Sequence, residues 1–262
     1  MSDNTFPSGF VAKADPFNAD ERYVFGDPDV SEYVQVKLHE AHWFQNNPRD
    51  DFPHPDQKVV LNSMENDKYL LGRTPEEEVE IIRPLEDVAN VVFAGDRMTY
   101  PQMSTRELLK EIRRSVEGQK AFYKMMSDVD IAVGATIVGW EDWMYEHSLE
   151  LLDLLDTRYV AFDATSYNSK YTLGEHIDTL NDVIDPDGIY LNGCFSEETL
   201  REMPREVEAF SGKITPLSES ERADGTHSRE LMKQSVQERT PAINNWQAKI
   251  SEFGYGHATG DD

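Results

Sequence analysis

Four short apolar runs in the middle of this chain each lead into residues that could do chemistry. Val91-Val92-Phe93-Ala94 opens onto Gly95-Asp96-Arg97, and Ile131-Ala132-Val133 onto Gly134-Ala135-Thr136. Tyr159-Val160-Ala161-Phe162 opens onto Asp163-Ala164-Thr165-Ser166-Tyr167-Asn168, and Ile189-Tyr190-Leu191 onto Asn192-Gly193-Cys194. Asp96 and Asp163 could move a proton, attack carbon or recognise a polar ligand. Thr165, Tyr167, Asn168 and Asn192, with Gly193, could complete a hydrogen-bonded pocket around them. Asp163 is the stronger single candidate, because it ends a run too apolar to tolerate an unpaired charge. Asp96 follows Gly95, whose missing side chain would let a ligand approach the backbone, and Arg97 could hold it ionised or serve as a surface partner. Asp and Asn are also turn formers and helix caps, so at any one exit a structural role competes. Two aspartates and two asparagines on one rim favour function.

Other patterns carry less. His39-x-x-His42 with Asp50, Asp51 and His54 has metal-binding residue types, but it is not an HExxH helix and lies in a proline-broken stretch, so no metal is expected there. Cys194 has no nearby basic residue to lower its pKa and reads as a buried structural thiol. As the only cysteine it excludes an internal disulfide and argues against a cysteine-built zinc site. No glycine-rich phosphate loop is present and no cofactor is implied. Trp140 and Trp143 read as helix packing.

The elements that must position these residues are legible from Lys58 onward. Val59-Val60-Leu61 is strand-like, and Pro75–Ile82 starts with proline followed by acids, as helices do. Ser104-x-x-Glu107 is a capping box ahead of a helix of roughly 20 residues. Trp140, Met144, Leu151 and Leu155 place an apolar stripe on one further helix, and Thr172-x-x-Glu175 is a second capping box. Ser196 caps a short helix through Met203, and Ser228–Glu238 is helical. Apolar strands alternating with amphipathic helices predict a parallel α/β fold. Four clear units between 91 and 203, with weaker ones before, fit a partial or modified (β/α) TIM-like barrel better than an open sheet. The expected organisation is an irregular, proline-interrupted segment over 1–57, a barrel-like core over 58–217, and a C-terminal helix with a polar, frayed tail over 218–262.

Fifty acidic side chains against twenty-five basic ones leave a formal charge of −25, spread along the chain. Such a charge repels itself in dilute buffer and is screened in concentrated salt, where the Debye length falls to about 3 Å at 1 M. The expectation is a protein of a halophilic archaeon, or of a virus infecting one, working in a high-salt cytoplasm. No apolar run approaches the roughly 18 residues of a membrane span, and the N-terminus has no signal-like pattern. An acidic surface also argues against bulk electrostatic attraction to nucleic acid, so any such contact must be local.

The stretch from Val92 to about Leu217 resembles the barrel of the tRNA-guanine transglycosylase superfamily, particularly the DpdA-type branch that places 7-deazaguanine bases in DNA. Phe93-Ala94-Gly95-Asp96-Arg97-Met98-Thr99 stands where the family carries its Asp-Ser-Gly-Gly-Phe-like, base-contacting element. Ala161-Phe162-Asp163-Ala164-Thr165 stands at its base-binding loop, and Ile189-Tyr190-Leu191-Asn192-Gly193 at its His-Leu-Phe-Gly-like strand end. The resemblance implies base exchange on nucleic acid, DNA in preference to tRNA, with a 7-deazaguanine base as partner and Asp96 and Asp163 as the carboxylates. Two departures are plain. Ser211, in Ala209-Phe210-Ser211-Gly212, stands where the family's nucleophilic aspartate is expected, and the family's zinc-binding Cys/His group is missing. This chain therefore either uses another carboxylate or has lost the reaction. The competing expectation is a catalytically inactive α/β binding protein, or an accessory or structural protein of a haloarchaeal virus, acting with a protein partner or as a homodimer.

Overall fold

Eight short strands close in chain order into one parallel barrel: β1 (Gly9–Lys13), β2 (Tyr33–Lys37), β3 (Lys58–Asn62), β4 (Ala89–Phe93), β5 (Ala132–Ile137), β6 (Tyr159–Asp163), β7 (Gly188–Asn192) and β8 (Val207–Gly212). The structure, a computed structural model, describes residues 5–47, 52–212 and 214–243. Around the barrel lie α1 (Ala19–Phe25), α2 (Asp67–Leu70), α3 (Pro75–Ile82), α4 (Thr105–Met125), α5 (Asp142–Glu146), α6 (Leu149–Leu155), α7 (Lys170–Ile184), α8 (Glu197–Leu200), α9 (Ile214–Ser220) and α10 (Arg229–Ile243). A 3-10 helix, Leu38–Gln45, takes the helical position between β2 and β3. Closure comes from β1 meeting β8, with Phe10 opposite Phe210 and Val11 opposite Ser211. The protein is a TIM-like α/β barrel. Among the described residues no helix is long and apolar enough to cross a membrane.

The strands read as unbroken apolar runs because both of their faces are covered. Outward residues such as Val59, Val92, Val160 and Ile189 join the large core beneath the helices. Inward residues, among them Val11, Tyr33, Val60, Val91, Phe93, Tyr159 and Tyr190, fill the barrel itself. Large rings need small neighbours in that space. A Cβ on Gly134 would sit 2.3 Å from the Phe93 ring, and one on Gly188 would sit 2.6 Å from Tyr159, so glycine at both positions is dictated by packing.

Several expectations are corrected. Residues 1–57 are not an irregular lead-in, since they supply β1, α1 and β2, and the barrel is complete rather than partial. Their prolines fall between elements, at Pro7, Pro16 and Pro28, rather than inside them. The single helix expected from Trp140 to Leu155 is two, α5 and α6, because the chain breaks at His147-Ser148. Helix α7 starts before Thr172: Ser169 is its cap and accepts from the Thr172 N–H, so the Thr172/Glu175 capping box does not form. Helix α8 ends at Leu200, short of Met203. The C-terminal region is not a detached tail up to Ile243, for α10 packs on α9, α8, β1 and β8. The frayed end expected beyond it lies outside the described residues, as do Asp50 and Asp51 of the histidine-rich cluster. The expected capping box at Ser104/Glu107 forms, and α4 runs 21 residues from it; a further one, not read from the sequence, forms at Thr74/Glu77 ahead of α3.

Candidate functional site

Above the barrel's apolar interior the inward-facing positions turn polar. Gln35, Asn62, Asn192 and Ser211 are all fully buried. Asn192 is the hub of this layer. Its Oδ1 accepts from Lys13 Nζ at 3.1 Å, Gln35 Nε2 at 3.2 Å and Ser211 Oγ at 3.4 Å, and its Nδ2 donates to Asp163 Oδ1 at 2.8 Å. The Tyr190 hydroxyl donates to Gln35 Oε1 from below. Four strands therefore converge on one carboxamide, and that carboxamide aims Asp163.

Asp163 is the last residue of β6, in register with Asn192 at the end of β7. Besides Asn192, Oδ1 accepts the Thr165 N–H at 3.2 Å and Oδ2 accepts the Thr165 hydroxyl at 2.9 Å. Asp96 lies three residues past β4, 7% exposed. Its backbone N–H is held by Ser63 Oγ at 2.9 Å, and its Oδ1 accepts the Arg97 N–H at 2.9 Å. Burial, and then the charge of Asp163, push the Asp96 carboxyl well above the ordinary carboxylate range. Its protonated form is therefore favoured more than that of an ordinary aspartate.

Both aspartates line one cavity of about 720 Å³ at the carboxy-terminal mouth of the barrel. Its walls include Tyr100, Trp140, Phe162, Tyr167 and His176. The Tyr167 hydroxyl lies 2.6 Å from His176 Nδ1. Burial raises the phenol and lowers the imidazole, so the neutral form of each is favoured. Thr165 and Asn168 are exposed on the same wall, which also borders a second cavity of about 1000 Å³. Gly193 lines only that second cavity, and Asn192 lies beneath the floor, positioning others.

Three assigned roles change. Gly95, at φ +76°, does not open space for a ligand: a Cβ there would lie 2.4 Å from Gln119 Cγ. Gln119 of α4 is fixed because it takes both the N–H and the C=O of Thr136, each at 2.8 Å. Arg97 is not a surface partner, and although its charge favours an ionised Asp96, burial outweighs it. Arg97 is itself buried, and its guanidinium donates to the carbonyls of Asp96 at 2.7 Å and Arg73 at 3.1 Å. Trp140 does pack, but it also faces the cavity. Cys194 is buried and its thiol is pushed up to about 11, so it stays protonated. His39 stacks on Tyr69 and contacts Glu65 at 3.2 Å, and among the described residues no group of three or more His, Cys, Asp or Glu could hold a metal.

Sequence reading missed Lys13, Gln35, Tyr100 and His176. Lys13 and Gln35 fall in the stretch read as irregular, and His176 sits on a helix whose polar positions all look alike. Only the 2.0 periodicity of β1 and β2 could have marked the first two as inward-facing.

No family model matches the chain, and no curated protein matches it in sequence. Among solved structures it is similar to the YdjI aldolase from Escherichia coli K12, with a TM-score of 0.50 and 13% identity, over 94% of this chain and 91% of that chain. At that identity the likeness speaks for the barrel fold alone, and 204 chains share a likeness of this kind. The chemistry must be argued from the mouth of the barrel.

Proposed function

We propose that the protein is a base-exchange enzyme of the tRNA-guanine transglycosylase type, acting on nucleic acid, DNA in preference to tRNA, with a 7-deazaguanine as the incoming base. One observation carries this reading: two strand-end carboxyl groups, one of them buried so that its protonated form is favoured, share a single aromatic-walled cavity. Base exchange requires a nucleophile for the sugar C1′ and a proton for the departing base. Asp163, with both oxygens oriented by Thr165 and Asn192, is the nucleophile. As its oxygen bonds to C1′ the C1′–N bond breaks, and the electron pair leaves with the base, whose nitrogen takes the Asp96 proton. The incoming base then returns a proton to Asp96, its nitrogen bonds to C1′, and Asp163 is released as carboxylate. Tyr100, Trp140 and Tyr167 supply ring faces for a planar heterocycle. Ser211 cannot stand in as nucleophile, since its hydroxyl is buried between the Gly193 N–H and Asn192. The −25 charge supports a haloarchaeal or viral source with a salt-loaded interior.

Incorporation of labelled 7-deazaguanine into DNA and RNA tests this. D163N keeps the Asn192 and Thr165 contacts, because the Thr165 hydroxyl can reverse direction, so it should lose incorporation while Tm moves by no more than about 2–4 °C. D96N should lower the rate by about 10²–10⁴-fold. A folded D163N that incorporates base at the wild-type rate, or a D163N that unfolds while its folded fraction stays active, removes Asp163 from the chemistry, and a wild type that incorporates no base leaves an inactive binding protein as the better description.

A further inference from the structure

The mouth of the barrel is electrically divided. The cavity holding Asp96 and Asp163 also has Glu65 and Asp67 in its walls against one cation, Arg97. The second cavity, across the wall formed by Thr165–Ser169, is lined by Lys13, Lys37, Lys170 and Arg239 against Glu197 and Glu198. A chain with two acids for every base thus inverts that ratio at this one cavity. The cations come from four separate elements. Lys13 and Lys37 end the neighbouring strands β1 and β2, and the Lys37 side chain has no hydrogen-bond or ion-pair partner among the described residues. Lys170 opens α7, the one described helix of eight or more residues with no acid in its first turn, whereas α3, α4 and α10 all carry one. A cation at a helix N-terminus opposes the helix dipole. Lys170 is retained there with Glu198 at 2.9 Å as an exposed partner. Arg239 is held by Glu219 and the Phe195 carbonyl, and so adds field rather than a spare donor.

We propose that this basic cavity is a phosphate-binding subsite, gripping a phosphate of the same substrate whose reacting part lies in the acidic cavity. Lys13 and Lys37 are the direct donors, and Lys170 with the α7 N-terminus supplies positive potential. The two cavities share Thr165 and Asn168, so a sugar seated at that wall would send its base one way and its phosphate the other. Resting on the base-exchange reading, the phosphate is the phosphodiester of a nucleic-acid strand. On any other reading of the acidic cavity, it is the phosphomonoester of a small substrate.

The test measures affinity of the full chain, across a KCl series, for a short fluorescent deoxyoligonucleotide, deoxyribose 5-phosphate, inorganic phosphate and free 7-deazaguanine. K37Q should weaken oligonucleotide binding several-fold and reduce the slope of log K against log salt by about 0.7–0.9, and K37Q/K170Q by about twice that. Tm and free-base affinity report that the fold is intact. Wild-type affinity and slope in both variants, or a wild type that binds no phosphate species, overturn the subsite. If deoxyribose 5-phosphate binds in a Lys37-dependent way while the base and the oligonucleotide do not, the subsite stands and base exchange fails. If the base binds and requires Asp163 while oligonucleotide binding ignores Lys37, base exchange stands and the subsite fails.

Discussion

Glu78 is the last of three consecutive glutamates and the only buried one, fully enclosed beneath the loop that carries Asp96. Its carboxyl accepts the Gly95 N–H at 3.2 and 3.4 Å, and Arg97 and Arg73 lie close enough to favour its charge. Burial outweighs both, raising its pKa from 4.5 to about 7. A carboxyl whose folded pKa lies above its unfolded value binds more protons when native, so its contribution to stability is complete below 4.5 and is lost as pH rises through 7. At 1.36 kcal/mol per pH unit, that window corresponds to about 3 kcal/mol. Glu78→Gln keeps the shape and the acceptor for Gly95 but cannot ionise. The expected result is that the stability difference, variant minus wild type, rises by about 3 kcal/mol between pH 4.5 and 8, or about 6–12 °C in Tm for a chain of this size. Thermal melts and urea titrations of the two proteins at matched salt measure it, and taking the difference cancels the other carboxylates. A difference that is flat, or that falls with pH, would falsify the argument, because it would mean that Arg97 and Arg73 hold Glu78 ionised.

Two further outcomes follow from the same structure. Gly95→Ala puts a Cβ 2.4 Å from Gln119 Cγ at a residue with φ +76°, so α4 must shift or Gln119 must release Thr136. A loss of about 1–3 kcal/mol is expected in chemical denaturation, and an unchanged midpoint would reject the packing role of Gly95. The distributed −25 charge predicts a melting temperature that rises steadily from roughly 0.1 to 3 M KCl as repulsion is screened. A midpoint independent of KCl would withdraw the salt-adapted reading.

Local patterns in the chain were enough to determine the βα rhythm from β3 to α8 and the strand ends where chemistry could gather. Apolar runs of four or five residues and capping boxes such as Ser104/Glu107 act through neighbours a few residues away, so they can be read from order alone. Asp163 was legible for that reason, as a polar residue closing an apolar run. Closure of the barrel was not, because β1 and β2 lie between prolines and β1 gains one of its two pairings from β8, nearly two hundred residues on. Register decides what enters the mouth. It brings Lys13, Gln35, Asn192 and Asp163 from four strands into one hydrogen-bonded set, and Asp96 into the same cavity. Burial decides what those groups do, and burial is a property of the assembled layers. Glu78 reads as one more solvated acid and Arg97 as a surface counter-ion. Only the packing of α3 and α4 against the barrel encloses both, and requires Gly95 to be a glycine for the sake of Gln119.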